Sequence, residues 1–167
     1  SFLGALALLR SQEVVGTVET AVSEVELLRL TARASTKMGE LQEAEHYYRM
    51  CLDQVMSGTD AKILVLLGLA GLNRMRGELS AAVKWAKRAT DCCTETQDRL
   101  KASALFELGS YLRDHELYEE AEAALHRSRQ LFNRLDHQLG AAECHVQLSL
   151  ATVQQGASQA ALAHART

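Results

Sequence analysis

The chain has 167 residues, 47% of them hydrophobic, with a formal net charge of −3 and no proline. A chain of this length contains about eight prolines on average, so their absence argues against Pro-rich linkers, β-sandwiches and disordered tails. The near balance of 18 basic and 21 acidic residues argues against nucleic-acid binding. These properties favour a helical globular domain, a class that contains more binding modules than enzymes.

The first 22 residues, SFLGALALLRSQEVVGTVETAV, fit no repeat of the chain. We interpret residues 1–22 as an N-terminal helix or the remnant of a preceding repeat. The apolar run is too short to span a membrane and lacks the basic region that opens a signal peptide. Four cysteines without a C-x-x-C pair favour a reducing compartment and buried thiols. We therefore expect an intracellular segment of a longer protein, in the cytoplasm with the nucleus left open, and no direct membrane insertion.

A related segment recurs four times in residues 23–167. When the four copies are aligned on a shared alanine, they follow one another at spacings of 38, 39 and 40 residues. The segments are KMGELQEAEHYYRMCL, RMRGELSAAVKWAKRA, DHELYEEAEAALHRSR and the weaker QQGASQAALAHAR, and the aligned alanines are Ala44, Ala82, Ala121 and Ala161.

The pattern within each copy predicts two helices joined by a turn. Leu28 and Ala32 are one helical turn apart, so they share a face, and the small side chain lets a second helix approach. We place the four helix pairs near residues 23–56, 60–93, 97–135 and 137–167. Their helices begin near Ser23, Thr59, Thr96 or Asp98, and Asp136, and the turns within the pairs fall at Gly39, Gly77, Glu116 and Gly156.

These residues resemble the tetratricopeptide (TPR) repeat. The third copy carries the resemblance best, with Leu108-Gly109, Leu112, Tyr118, Ala121 and Leu125 at the positions of the family motif. The long spacing and the missing terminal proline are similar to the branch that includes kinesin light chains, LGN-type adaptors and rapsyn. The resemblance implies an all-α fold in which helix–turn–helix repeats stack into a right-handed superhelical solenoid.

The resemblance also implies a non-catalytic scaffold that binds a partner protein or peptide on the concave surface lined by the first helices. Those helices carry a net charge of about +4 and the second helices about −3, which favours a partner with an acidic segment. Exposed end repeats predict self-association as well. The candidate partner-binding residues are Arg29, Arg33, Lys37, Leu67, Arg74, Phe106, Arg113, Val146 and Leu150.

Alternative functions remain open from the sequence. The repeats could be an architectural segment that packs inside a large complex or against another domain, without a peptide groove. A helical enzyme or a domain that senses a small ligand is a third class. The scattered histidines form no metal-binding motif, and the chain contains no phosphate-binding loop or nucleophile motif. We therefore expect no catalytic residue, no metal and no cofactor.

Overall fold

The computed structural model describes residues 24–165, and side chains as far as residue 159. Our predictions for residues 1–22, for Ser23 and for Ala161 lie outside these described parts. Within residues 24–165 every regular element is an α-helix. The helices are α1 (Glu24–Met38), α2 (Leu41–Gln54), α3 (Asp60–Met75), α4 (Leu79–Cys92), α5 (Asp98–Asp114), α6 (Tyr118–Arg134) and α7 (Gln138–Ala165).

The helices fall into two compact units. Unit 1 ends at Val55 and contains α1 and α2, while unit 2 begins at Met56 and contains α3 to α7. Within unit 2 each helix packs against the next one along the chain, and α5 also contacts α3 and α7. The first helices α3, α5 and α7 therefore lie side by side, and the second helices α4 and α6 each pack against the first helices that precede and follow them.

In each of the first three helix pairs, the turn between the two helices contains a residue with a left-handed backbone conformation. Gly39 and Gly77 have φ values of +82° and +78°, and Glu116 takes the same place with φ +62°. In the third pair the amide of Leu117 donates to the carbonyl of Leu112 at 2.9 Å, which closes the helix end. The predicted turns at these three positions are confirmed. Glu116 carries a steric penalty that the two glycines do not, because only glycine adopts this conformation freely.

Side-chain hydrogen bonds hold the linkers that precede α3 and α5 in unit 2. Thr59 caps α3, because its hydroxyl accepts from the amide of Lys62 at 3.3 Å, and this predicted start is confirmed. Helix α5 begins at Asp98, where the preceding Gln97 side chain accepts from the amide of Thr94 at 2.9 Å and donates to the carbonyl of Gly58 at 3.1 Å. Gln97 thus ties the link after α4 to the start of α3.

Small residues let the helices of a pair approach closely. A Cβ atom added to Gly109 would lie 2.6 Å from Cγ of Leu125, closer than atoms of the packed core tolerate. The aligned leucines, small residues and alanines of the first three pairs are all buried, and Tyr48 and Leu125 fill the adjoining space. The shared face that the spacing predicts is therefore confirmed in these pairs.

The fourth copy differs, because α7 is one helix of 28 residues. The turn predicted at Gly156 is wrong, since the helix continues through this residue. Helix α7 begins two residues after the predicted Asp136. Asp136 itself has φ +52°, and His137 caps the helix instead by accepting from the amide of Gly140 at 2.9 Å. His145 replaces the aligned leucine and is exposed, since no second helix covers this face within the described part of α7.

The cysteines are free thiols, of which two lie in the core. Cys51 and Cys144 are buried, as expected for thiols that behave as small apolar side chains, and burial raises the pKa of each thiol. Cys92 and Cys93 are only half-buried at the end of α4.

The buried Ser128 hydroxyl donates to the carbonyl of Ala102 at 2.7 Å and thereby joins α6 to α5.

Candidate functional site

In unit 1 the three predicted basic residues lie on α1 and differ in exposure and in ion pairing. The guanidinium of Arg29 donates from Nε to Oε2 of Glu26 at 2.8 Å, and only 12% of its side chain is exposed. Arg33 and Lys37 are exposed on later turns of the same helix. Because the hydrogen bond from Arg29 holds the carboxylate in its charged form, the pKa of Glu26 lies below its usual value. Arg29 therefore presents little free charge to a partner.

In unit 2 the predicted arginines converge on one carboxylate. Nε of Arg74 lies 2.8 Å from Oδ2 of Asp114, and Nη2 of Arg113 lies 2.6 Å from Oδ1 of the same residue. Arg113 also donates to the side-chain oxygen of Gln147 on α7. The guanidinium of Arg74 stacks over the ring of Tyr111, 5.6 Å from its centroid. We call these five residues the Asp114 cluster, which joins α3, α5 and α7.

Tyr111 forms the buried base of the Asp114 cluster. Burial raises the pKa of its hydroxyl, and the neighbouring Glu107 raises it further by charge and by a hydrogen bond. The hydroxyl lies where a Cβ atom on Gly71 would come within 3.6 Å. Tyr111 therefore stays neutral, and the Asp114 cluster has two arginines facing one carboxylate above it.

The predicted apolar residues differ in exposure. Leu67 is half-buried on α3, and the half-buried Phe106 packs against the hydrophobic core from α5. Val146 and Leu150 on α7 are 58% and 42% exposed. They flank Gln147 of the Asp114 cluster, so a polar centre on the α3–α5–α7 surface adjoins an apolar edge.

The apolar edge extends along α7 beyond the two residues that the sequence analysis named. Leu139 is 67% exposed and Val153 is 70% exposed. Leu139, Val146 and Val153 are seven residues apart, which places them on one side of the helix. We call Leu139, Val146, Leu150 and Val153 the α7 stripe. Four exposed apolar side chains on one helix face are typical of an interaction surface.

Asp114, which neutralises the two arginines, was not among the residues predicted from the sequence. Summing charge helix by helix gave a basic surface, whereas Asp114 offsets Arg74 and Arg113 at hydrogen-bonding distance. The signal was available, because Arg74 and Arg113 are 39 residues apart, which is one repeat, and Asp114 follows Arg113 directly. Equivalent positions in adjacent first helices come together, so a carboxylate next to one of them meets both.

The described residues offer no metal site and no membrane-spanning helix. Across the described residues no group of three or more His, Cys, Asp and Glu side chains is arranged to hold a metal ion. None of the helices in that part of the chain combines the length and apolar character needed to cross a membrane.

Solved structures share this arrangement of helices. PcrH from Pseudomonas aeruginosa superposes with a TM-score of 0.63 at 16% identity, over 82% of this chain and 99% of PcrH. A chain of a T3SS complex from Aeromonas hydrophila gives a TM-score of 0.63 at 15% identity, covering 92% of this chain and 98% of that one.

A third similar structure is the C-terminal TPR-containing domain of an FK506-binding protein from Plasmodium falciparum. Its TM-score is 0.53 at 21% identity, over 82% of this chain and 96% of that domain. No family model and no curated protein matches the sequence. At these identities the likeness concerns the fold, and it agrees with the all-α repeat architecture that the spacing predicts. The chain has a TPR-like helical repeat fold.

Proposed function

We propose that this chain is a non-catalytic scaffold that binds a partner protein through the α3–α5–α7 surface of unit 2. The TPR-like fold supports this role, because stacked helix pairs create extended surfaces that repeat proteins use for binding. The exposure of the α7 stripe beside the Asp114 cluster carries the proposal. Apolar side chains in a row on one helix face lose water favourably when a partner covers them.

In this proposal the apolar edge supplies most of the affinity and the Asp114 cluster supplies orientation. Asp114 neutralises part of the positive charge of Arg74 and Arg113, so an acidic segment of the partner gains less from unit 2 than the charge of the helices suggests. The exposed half of the Arg74 side chain still offers donors at the rim. Rim charges affect the rate of association more than the affinity.

The test compares proteins captured by the natural full-length protein and by the double variant Val146→Asp/Leu150→Asp. We expect a specific partner to be lost, because two carboxylates would have to be buried against its apolar contact. The matched control is Met56→Asp/Leu135→Asp, which replaces two other exposed apolar side chains and adds the same charge. Capture unchanged in the stripe variant, or lost equally in the control, contradicts the proposed surface.

The architectural alternative predicts a different response to salt. If the α7 stripe packs permanently against another domain, the variant exposes apolar surface and lowers stability without releasing a separable partner. A contact that includes the Arg74 rim weakens as salt screens it, whereas a purely apolar packing contact does not. Capture at 0.1 M and 0.5 M salt, together with thermal unfolding of both variants, separates the two functions.

A further inference from the structure

A groove on the second-helix side of unit 2 lies apart from the Asp114 cluster and the α7 stripe. It runs between α4 and α6 with α5 as its floor. It consists of two adjoining cavities of about 540 and 550 Å³ that share Lys101, Leu105 and Arg127. We call it the α4–α6 groove. Its further lining residues include Lys87 and Asp91 from α4, Leu108 from α5, and Ala123, Ala124 and Arg134 from α6.

The helices on the two sides of the groove differ in length. Helix α4 has 14 residues and α6 has 17, and the cavity beside the last turn of α6 is lined by α5 and α6 alone. Ala123 and Ala124 keep the α6 wall free of bulky side chains. From Glu120 to Arg134 the wall spans fourteen residue steps, or about 21 Å at the rise of an α-helix.

The charged side chains of the groove are paired at its two ends and unpaired in its middle. Ion pairs join the elements at both ends, Lys87 with Glu120 at 3.0 Å and Arg134 with Asp98 at 3.5 Å. In the middle, Lys101 on α5 faces the groove as does Arg127 on α6, and neither forms an ion pair with any residue the structure describes.

Asp91 at the rim is the remaining charged lining residue. Asp91 offsets one of the two central cations, so the groove as a whole carries one net positive charge in a protein whose net charge is −3. Beneath these charges the floor is apolar, formed by Leu105, Leu108 and Leu112. A ligand that matches this groove needs apolar side chains toward the floor and carboxylates toward the cations on its two sides.

We propose that the α4–α6 groove binds an acidic amphipathic helix from a second partner protein. Its apolar side chains would lie against the exposed Ala123 and the narrow exposed edges of Leu105, Leu108 and Ala124, and its carboxylates would reach Lys101 and Arg127. A helix suits a trough between two helices, because its apolar face packs between their ridges. The groove shares no residue with the Asp114 cluster or the α7 stripe, so this partner and the one proposed above occupy different residues.

The binding probe is a fluorescein-labelled, acetylated 16-residue peptide made of leucine at helical spacing with glutamate and alanine at the other positions. Its matched peptide has serine in place of leucine and the same charge. Fluorescence anisotropy at 0.1 M salt measures the binding of both peptides to the full chain. We expect the leucine peptide to bind and the serine peptide to bind at least about tenfold more weakly, because only the first covers the apolar floor.

Two variants locate the bound peptide. Lys101→Glu/Arg127→Glu removes the attraction to carboxylates, and Ala123→Trp fills the groove at an exposed position without changing charge. We expect each variant to weaken binding by about tenfold or more. The control Lys84→Glu/Arg99→Glu makes the same change in charge at exposed residues that line neither cavity, and we expect less than about a threefold effect.

Other results overturn the proposal. Equal loss in the groove and control variants means general attraction between opposite charges, and equal binding of the two peptides means that the apolar floor is unused. Absence of binding, or no effect of Ala123→Trp in a variant with unchanged thermal unfolding, rules out this occupant. If Lys101→Glu/Arg127→Glu instead converts a dimer into a monomer by sedimentation, the occupant is a second copy of the chain.

Discussion

Gly109 sets the distance between α5 and α6, because any larger residue would displace Leu125. A Cβ atom at Gly109 would lie 2.6 Å from Cγ and 2.9 Å from Cδ2 of that leucine. We expect Gly109→Ala to lower the free energy of unfolding by about 1 to 3 kcal/mol through overpacking. Urea denaturation measures this change.

Gly71 is the matched control for Gly109→Ala. It also lies within a helix, yet its Cβ atom would meet only the Tyr111 hydroxyl at 3.6 Å, an ordinary contact. Gly71→Ala should therefore raise the free energy of unfolding by about 0.5 to 1 kcal/mol through helix propensity. Equal effects of the two substitutions would contradict the close approach of α5 and α6.

Cys51 makes the stability of unit 1 sensitive to alkaline pH. Burial raises the pKa of its thiol from 9.0 to about 11. The folded state thus favours the neutral thiol, and this contribution is complete below pH 9 and is lost as the pH rises through 11. We expect the free energy of unfolding to fall more steeply over this range in the natural protein than in Cys51→Ala. Urea denaturation from pH 7 to 11 tests this, and parallel curves would refute it.

At the scale of the element, the Asp114 cluster joins three first helices through one carboxylate. We expect Asp114→Asn to lower the free energy of unfolding by about 1 to 2 kcal/mol, since Arg74 and the mostly buried Arg113 lose their charged partner. The control is Asp91→Asn, which removes an exposed carboxylate outside the cluster. Thermal unfolding at low salt measures both. A similar loss in both variants would mean that the cluster contributes only through net charge.

The elements that the sequence predicted well are those in which local pattern and packing agree. In the first three pairs, leucine and a small residue one turn apart meet an alanine of the next helix, and the left-handed turns fall at Gly39, Gly77 and Glu116. The position of Glu116 followed from the repeat alone, because nothing in a glutamate marks a positive φ. Alignment between copies supplied what residue type did not.

Helix α7 was mispredicted because one residue type was given too much weight. Gly156 aligns with the turn residues of the other copies, but glycine within a helix is tolerated at a cost of about 1 kcal/mol. The helix needs a reason to end, and the alanine-rich residues after Gly156 favour its continuation. His145 already distinguished the fourth copy, because it stands where the other three copies have leucine.

The candidate site was predicted less completely than the fold. Repeat alignment named Arg74, Arg113, Val146 and Leu150, which the structure places on the α3–α5–α7 surface. It did not reveal that Asp114 pairs with both arginines, since that requires the distance between neighbouring first helices. The exposure of Leu139 and Val153 depends on what covers α7, and a helical pattern alone does not distinguish a covered face from an open one.

At the scale of the whole molecule, the α7 stripe predicts concentration-dependent self-association. Its four exposed apolar side chains lie on one face of a long helix, so two copies can bury them against each other. We expect sedimentation equilibrium of the isolated chain to show a dimer that Val146→Asp/Leu150→Asp dissociates. A strict monomer at millimolar concentration, or a dimer unaffected by this variant, would refute the prediction.

Among the described helices of unit 2, the extensive contacts are with the next helix along the chain or the next but one. When such a chain is pulled from its ends, no segment has to be drawn out from beneath a distant one, so helix pairs detach in order from an end. Each pair of about 39 residues then releases about 130 to 140 Å of extended chain. The force that unit 2 withstands is therefore set by the weakest interface between neighbouring helix pairs. Unit 2 unfolds in separate steps, one helix pair at a time.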